Sequence, residues 1–143
     1  GQTITVPGTY IVEQDITFAS PGFAITINTS DVILDLGGQT INANGTGNGI
    51  SINNTDNVTV RNGNIINTAG NAINVSNSSN ATISNMNISN MVTPSTSSVV
   101  VDNSSFTTIN NTFVTNENGG PCYTINNSTS TTVEKSGGCG DNG

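Results

Sequence analysis

The side chains able to do acid–base, metal or thiol chemistry are few. The chain has no His, and its only basic residues are Arg61 and Lys135, set against nine carboxylates. Asp31 and Asp56 fall at comparable turns of neighbouring repeats. That placement would bring their carboxyl groups to about 5–6 Å, the separation of a pair working through a covalent glycosyl intermediate. Asp35 could likewise approach Arg61. The plainer reading makes these acids solvated turn residues, with Arg61 in a surface ion pair. We adopt it, so no catalytic residue, metal ligand or cofactor site is assigned.

Cys122 and Cys139 lie close together near the C-terminus. An even cysteine count, almost no charge and many Asn-x-Ser/Thr triplets point to an oxidising, exported setting. A Cys122–Cys139 disulfide is the expectation; two free thiols, or a bond to a neighbouring subunit, are the alternatives. The triplets begin at Asn28, Asn44, Asn53, Asn57, Asn74, Asn77, Asn80, Asn87, Asn103, Asn110, Asn126 and Asn127. Asn57 and Asn80 directly precede the inward Val58 and Ala81. They therefore point outward and are the candidate glycan acceptors.

Composition narrows the class. In 143 residues only 8% are charged, against about 25% in ordinary domains. Aromatics make up 4% and Trp is absent, while Ile, Val, Thr, Asn and Ser abound. β-Branched residues form strands, so this is not the composition of a disordered chain. A net charge of −7 with two basic residues cannot build the cationic surface nucleic acid requires. No apolar run approaches the roughly 18 residues of a membrane span. Gly1 opens directly on strand-forming sequence, as in a processed chain.

What must position these residues is a repeat. Four segments align without gaps: 52–60, 75–83, 101–109 and 125–133. Each has an aliphatic residue, an Asn two places on, and a second aliphatic residue eight places after the first. A fifth copy, beginning at Ile27, is one residue shorter at its turn. The Asn residues Asn54, Asn77, Asn103 and Asn127 are spaced by 23, 26 and 24. Within each copy the apolar residues alternate at period two, which marks strands. A period in this range without helical segments predicts an all-β, parallel β-helix: about five coils of three short strands, with a period of about 23–26 residues.

Stacked coils place equivalent residues about 4.8 Å apart, so Asn54, Asn77, Asn103 and Asn127 should form an inward asparagine ladder. Asn62, Asn85 and Asn111 make a second column, which Lys135 should end. Met91–Ser97 reads as a loop bulging from one corner. Residues 1–21 are N-terminal strands starting the solenoid, with Thr3–Val12 as two short strands around a Pro-Gly turn lying across the first coil; 22–134 are repeat coils, and 135–143 are an irregular Gly-rich tail, all in one domain.

The segment Asp31-Val32-Ile33-Leu34-Asp35-Leu36-Gly37-Gly38-Gln39-Thr40-Ile41, followed by Asn57-Val58-Thr59-Val60-Arg61-Asn62-Gly63-Asn64-Ile65, resembles right-handed β-helix proteins of the pectin-lyase-like class. The closest flavour is the Asn/Ser/Thr-rich repeat of exported surface or sheath proteins of prokaryotes, methanogenic archaea especially. The likeness runs over about residues 9–133 and implies a right-handed solenoid. Lyases of that class use a basic residue beside Ca²⁺ held by clustered carboxylates, and its hydrolases use adjacent Asp residues. The acids here are scattered, so no enzyme is expected.

A solenoid leaves unpaired strand edges at both ends, and no amphipathic helix is available to cover them. The expectation is therefore an extracellular or cell-surface structural protein whose partners are copies of itself, stacked head to tail. A glycan-binding adhesin or tailspike-like module is the alternative, and a degenerate polysaccharide lyase is third. An ice-binding face would need a Thr-x-Thr array, of which Thr107-Thr108 and Thr131-Thr132 are only fragments.

Overall fold

The computed structural model describes residues 1–89, 91–93 and 96–139. Every strand pairing in it is parallel, and no helix occurs among the described residues. Three sheets wrap one core. The first sheet stacks six strands in chain order, from Gln2–Ile4 through Phe23–Ile27, Asn48–Asn53, Ile73–Ser76 and Val99–Asp102 to Tyr123–Asn126. The second begins at Gly8–Ile11 and Val32–Asp35 and ends at Thr108–Asn110 and Thr132–Glu134. The third begins at Ile16–Thr17 and Thr40–Asn42 and ends at Phe113–Val114 and Gly137–Gly138. Between these, Asp56–Ile66 and Ser79–Ser89 each run through both the second and third sheets. Six strand levels make about five turns of a parallel β-helix.

The core is a set of straight columns. Because side chains alternate across a strand and the register is locked, each inward position stacks on its own kind. One column runs Ile4, Ile27, Ile52, Val75, Val101, Ile125; another runs Tyr10, Leu34, Val60, Ile83, Ile109, Val133. Each fully buried Ile or Leu stabilises the fold by roughly 1.5–3 kcal/mol. A column of small residues, Ala24, Gly49, Ala72, Ser98 and Cys122, enters the first sheet. The fit there is tight: a Cβ on Gly49 would collide with the Ala72 carbonyl.

Two expectations change. Residues 1–21 start the solenoid, but Thr3–Val12 does not lie across the first coil. Gln2–Ile4, Gly8–Ile11 and Ile16–Thr17 pair in register and are themselves its first level. The reason is that Ile4, Tyr10 and Ile16 supply one inward apolar residue to the first strand of each of the three sheets. The tail is not wholly irregular either, since Gly137–Gly138 pairs with Phe113–Val114; 140–143 lie outside the described residues. The loop expected over Met91–Ser97 sits at the corner between third and first sheets, with Met91 buried and Val92 exposed. Pro94 and Ser95 of that loop lie outside the described residues.

Candidate functional site

The corners carry most of the polar structure. Each coil turns at corners where a residue takes the left-handed region, which Asn tolerates because its short amide bonds locally. Asn54, Asn77, Asn103 and Asn127 have φ of 55, 50, 50 and 47°. Asn62, Asn85 and Asn111 have φ of 65, 53 and 50°. Lys135 takes the same conformation, at 46°. The amides stack: Asn103 Nδ2 donates to Asn77 Oδ1 at 2.7 Å, Asn85 to Asn62 at 3.1 Å, and Asn111 to Asn85. Asn62 donates in turn to Asp35 at 3.2 Å, so this second chain of amides ends on a carboxylate.

The inward direction expected of Asn54, Asn77, Asn103 and Asn127 is wrong; all four side chains are exposed. A left-handed corner residue turns its Cβ away from the core. The following residue points in instead, and the inward ladder is made of hydroxyls: Thr55, Ser78, Ser104 and Ser128. Thr55 N donates to Ser78 Oγ, Ser78 N to Ser104 Oγ and Ser104 N to Ser128 Oγ, each at 3.1 Å. Ser78, Ser104 and Ser128 donate back to the carbonyls of Ser76, Asp102 and Asn126. The signal was in the aligned repeat, as a Thr or Ser at one fixed position.

Asn57 and Asn80, the candidate acceptors, are exposed. Their amide nitrogens, where a glycan would be joined, donate to Asp31 at 2.9 Å and Asp56 at 2.8 Å. Asp31 therefore faces Asn57, while Asp56 takes Asn80 and Ser79. The hydrogen bonds from Asn80 and Ser79 hold the Asp56 carboxyl below its ordinary value. Asp35 accepts Gly37 N at 2.8 Å and Arg61 Nε at 3.1 Å. The Gly37 amide foremost, then Arg61 and Asn62, lower its pKa against the opposing effect of burial. Arg61–Asp35 is the only ion pair among the described residues, and no group of three His, Cys, Asp or Glu gathers to hold a metal there.

On the outer face of the second sheet, Thr59, Thr82, Thr108 and Thr132 form one column. The parallel outward column is Asp35, Arg61, Ser84, Asn110 and Glu134, so the regular Thr-x-Thr array does not form. Beside the corner between the first and second sheets a shallow groove of about 480 Å³ crosses four coils, lined by Thr55, Asn77, Ser79, Asn103, Asn127 and Thr129 among others. No charged residue lines it. Phe106, whose amide donates to the Thr129 carbonyl, is 59% exposed with φ of 56°. Sequence reasoning passed over it. The position is the corner column of Asp31, Asn57 and Asn80, where an aromatic is out of place.

Cys122 and Cys139 form a disulfide with a Cα–Cα distance of 5.2 Å. It joins the two ends of the last coil and so closes that coil into a ring. Tyr123 opens the strand Tyr123–Asn126 of the same coil. It sits in the inward column of Ile25, Ile50, Ile73 and Val99, and its hydroxyl donates to the carbonyls of Thr112 at 3.0 Å and Gly137 at 3.2 Å. Burial raises its pKa to about 12.

Locked parallel register, inward columns and left-handed corners define a parallel β-helix protein. The chain belongs to the right-handed β-helix family, whose model, described as a right handed beta helix region, matches residues 7–137. Among curated proteins and among solved structures, nothing matches the chain. No helix of the described residues is long and apolar enough to cross a membrane.

Proposed function

We propose that this chain is a non-enzymatic, extracellular structural protein that self-assembles through its β-helix edges into a filament, sheath or surface coat. One observation carries the reading. Both core columns are buried to 0–2% at every interior level, yet their last members, Ile125 and Val133, are 43% and 41% exposed. The last strands also bond on one side only. An apolar column that stops in solvent is the kind of exposed patch that marks an interaction site, and a strand edge adds directional backbone bonds. The resemblance to prokaryotic surface and sheath proteins agrees with a cell-surface setting. Negative-stain electron microscopy of the native chain, with and without reductant, tests this: ordered fibres or sheets are expected. Dispersed monomers at all concentrations would defeat it.

A second reading, a glycan-binding adhesin-like module, is favoured by the uncharged groove and by Phe106 beside it. Amide and hydroxyl groups repeating every coil suit a neutral sugar chain, and an exposed aromatic suits its apolar ring face. Screening on a glycan array tests it; retention of neutral glycans that Phe106→Ala abolishes is the expected result for this reading. The absence of aromatics other than Phe106 near the groove is why it stands second.

A further inference from the structure

We infer that the two ends of the solenoid are complementary halves of one interface in a single register, with Lys135 of one copy paired to Glu13 of the next. This rests on the self-assembly proposed above and adds the register and its polar contact. The N-terminal end carries an apolar hollow of about 240 Å³ lined by Ile4, Tyr10 and Ile16 among others. The C-terminal end presents Ile125 and Val133. These belong to the same columns: Ile4 and Ile125 are first and last of one, Tyr10 and Val133 of the other. A second copy placed as one more coil sets Ile4 on Ile125 and Tyr10 on Val133. A slip of one residue would turn every apolar side chain outward, so one register is selected.

The charges agree with that register. Ile11 pairs with Asp35, Asp35 with Arg61, Arg61 with Ser84, Ser84 with Asn110 and Asn110 with Glu134. Ile11 and Glu134 thus share a column, and the next residues at that corner are Val12-Glu13 at one end and Lys135-Ser136 at the other. In the stacked pair Lys135 falls on Val12, and Glu13 is its diagonal neighbour, one residue further along the corner and about 4.8 Å away along the axis, a distance a lysine side chain spans. Both are exposed. Arg61 is already held by Asp35, and no carboxylate among the described residues pairs with Lys135.

Charge reversal in the full chain tests this, read by the protein concentration at which assemblies appear in sedimentation and light scattering. At low salt Lys135→Glu and Glu13→Lys should each raise that concentration about tenfold, an attraction becoming a repulsion. The double variant should return to within about twofold of the native chain, and the differences should fade near 1 M salt, where screening is strong. Ile125→Asp should prevent assembly while circular dichroism still reports the fold. Assembly indifferent to either reversal, or a double variant no better than the singles, would overturn the register alone, whereas assembly surviving Ile125→Asp would overturn the end-to-end contact itself. A native chain that never assembles would defeat the structural reading on which it rests.

Discussion

A left-handed backbone costs an ordinary L-residue about 1–2 kcal/mol, and this chain demands one at corner after corner. Asn meets most of the demand, but Phe106 and Lys135 meet it at φ of 56 and 46° with no local amide to help. Phe106→Asn should therefore stabilise the fold by about 1 kcal/mol in chemical denaturation; an unchanged or lower stability would show that the ring is held by contacts worth that much. Thr107 presents a similar misfit. It is fully buried in the column of Val32, Val58 and Ala81, and its Oγ1 has no hydrogen-bond partner. Thr107→Val should gain about 1 kcal/mol by removing an unpaired hydroxyl. The aligned repeat showed which positions were asparagine but not which way they faced, because Asn and the following Thr or Ser are both polar. Only the corner dihedral separates the exposed Asn77 from the buried Ser78.

Strand pairing and column order were legible from the 23–26 residue spacing, since a fixed period forces equivalent residues to stack. What the period could not reveal was how the ends close. The strands at 137–138 are two glycines, with no side-chain pattern to read, and the first level was hidden because the turn between its first two strands, from Ile4 to Tyr10, is shorter than the matching turn from Ile52 to Val60. The closing coil is held by Cys122–Cys139, which encloses 17 residues of separation. Replacing both cysteines by Ser should cost about 3 kcal/mol and should speed hydrogen exchange at Tyr123–Asn126 before it speeds elsewhere. Tyr123 reports on the same coil. Its pKa is raised from 10.0 to about 12, so its contribution is fully present below pH 10.0 and lost as pH rises through the folded value. In a Tyr10→Phe chain, absorbance titration should follow Tyr123 alone and find its midpoint near 12; a midpoint near 10 would mean that the coil opens first.

At the scale of the whole molecule, charge is so sparse that pH can act through few groups. Asp35 and Asp56 both have lowered pKa values, so the stability they add is complete above the ordinary value of 3.8 and is lost as pH falls through their folded values. Melting temperature should be level from neutral pH down to about 5 and decline below 3.8, with a shallower decline in the Asp35→Asn/Asp56→Asn chain. The same scarcity of charge bears on digestion by a protease that cuts only after Arg and Lys. Arg61 lies within the strand Asp56–Ile66, which is hydrogen-bonded to a neighbour on each side, so it cannot enter a cleft that needs a free extended segment. Lys135, at an exposed corner, is the accessible site. Cleavage there severs the chain between Cys122 and Cys139, and their disulfide keeps the released tail attached. The cut protein would gain only the mass of one water, and the nick would become visible only after reduction.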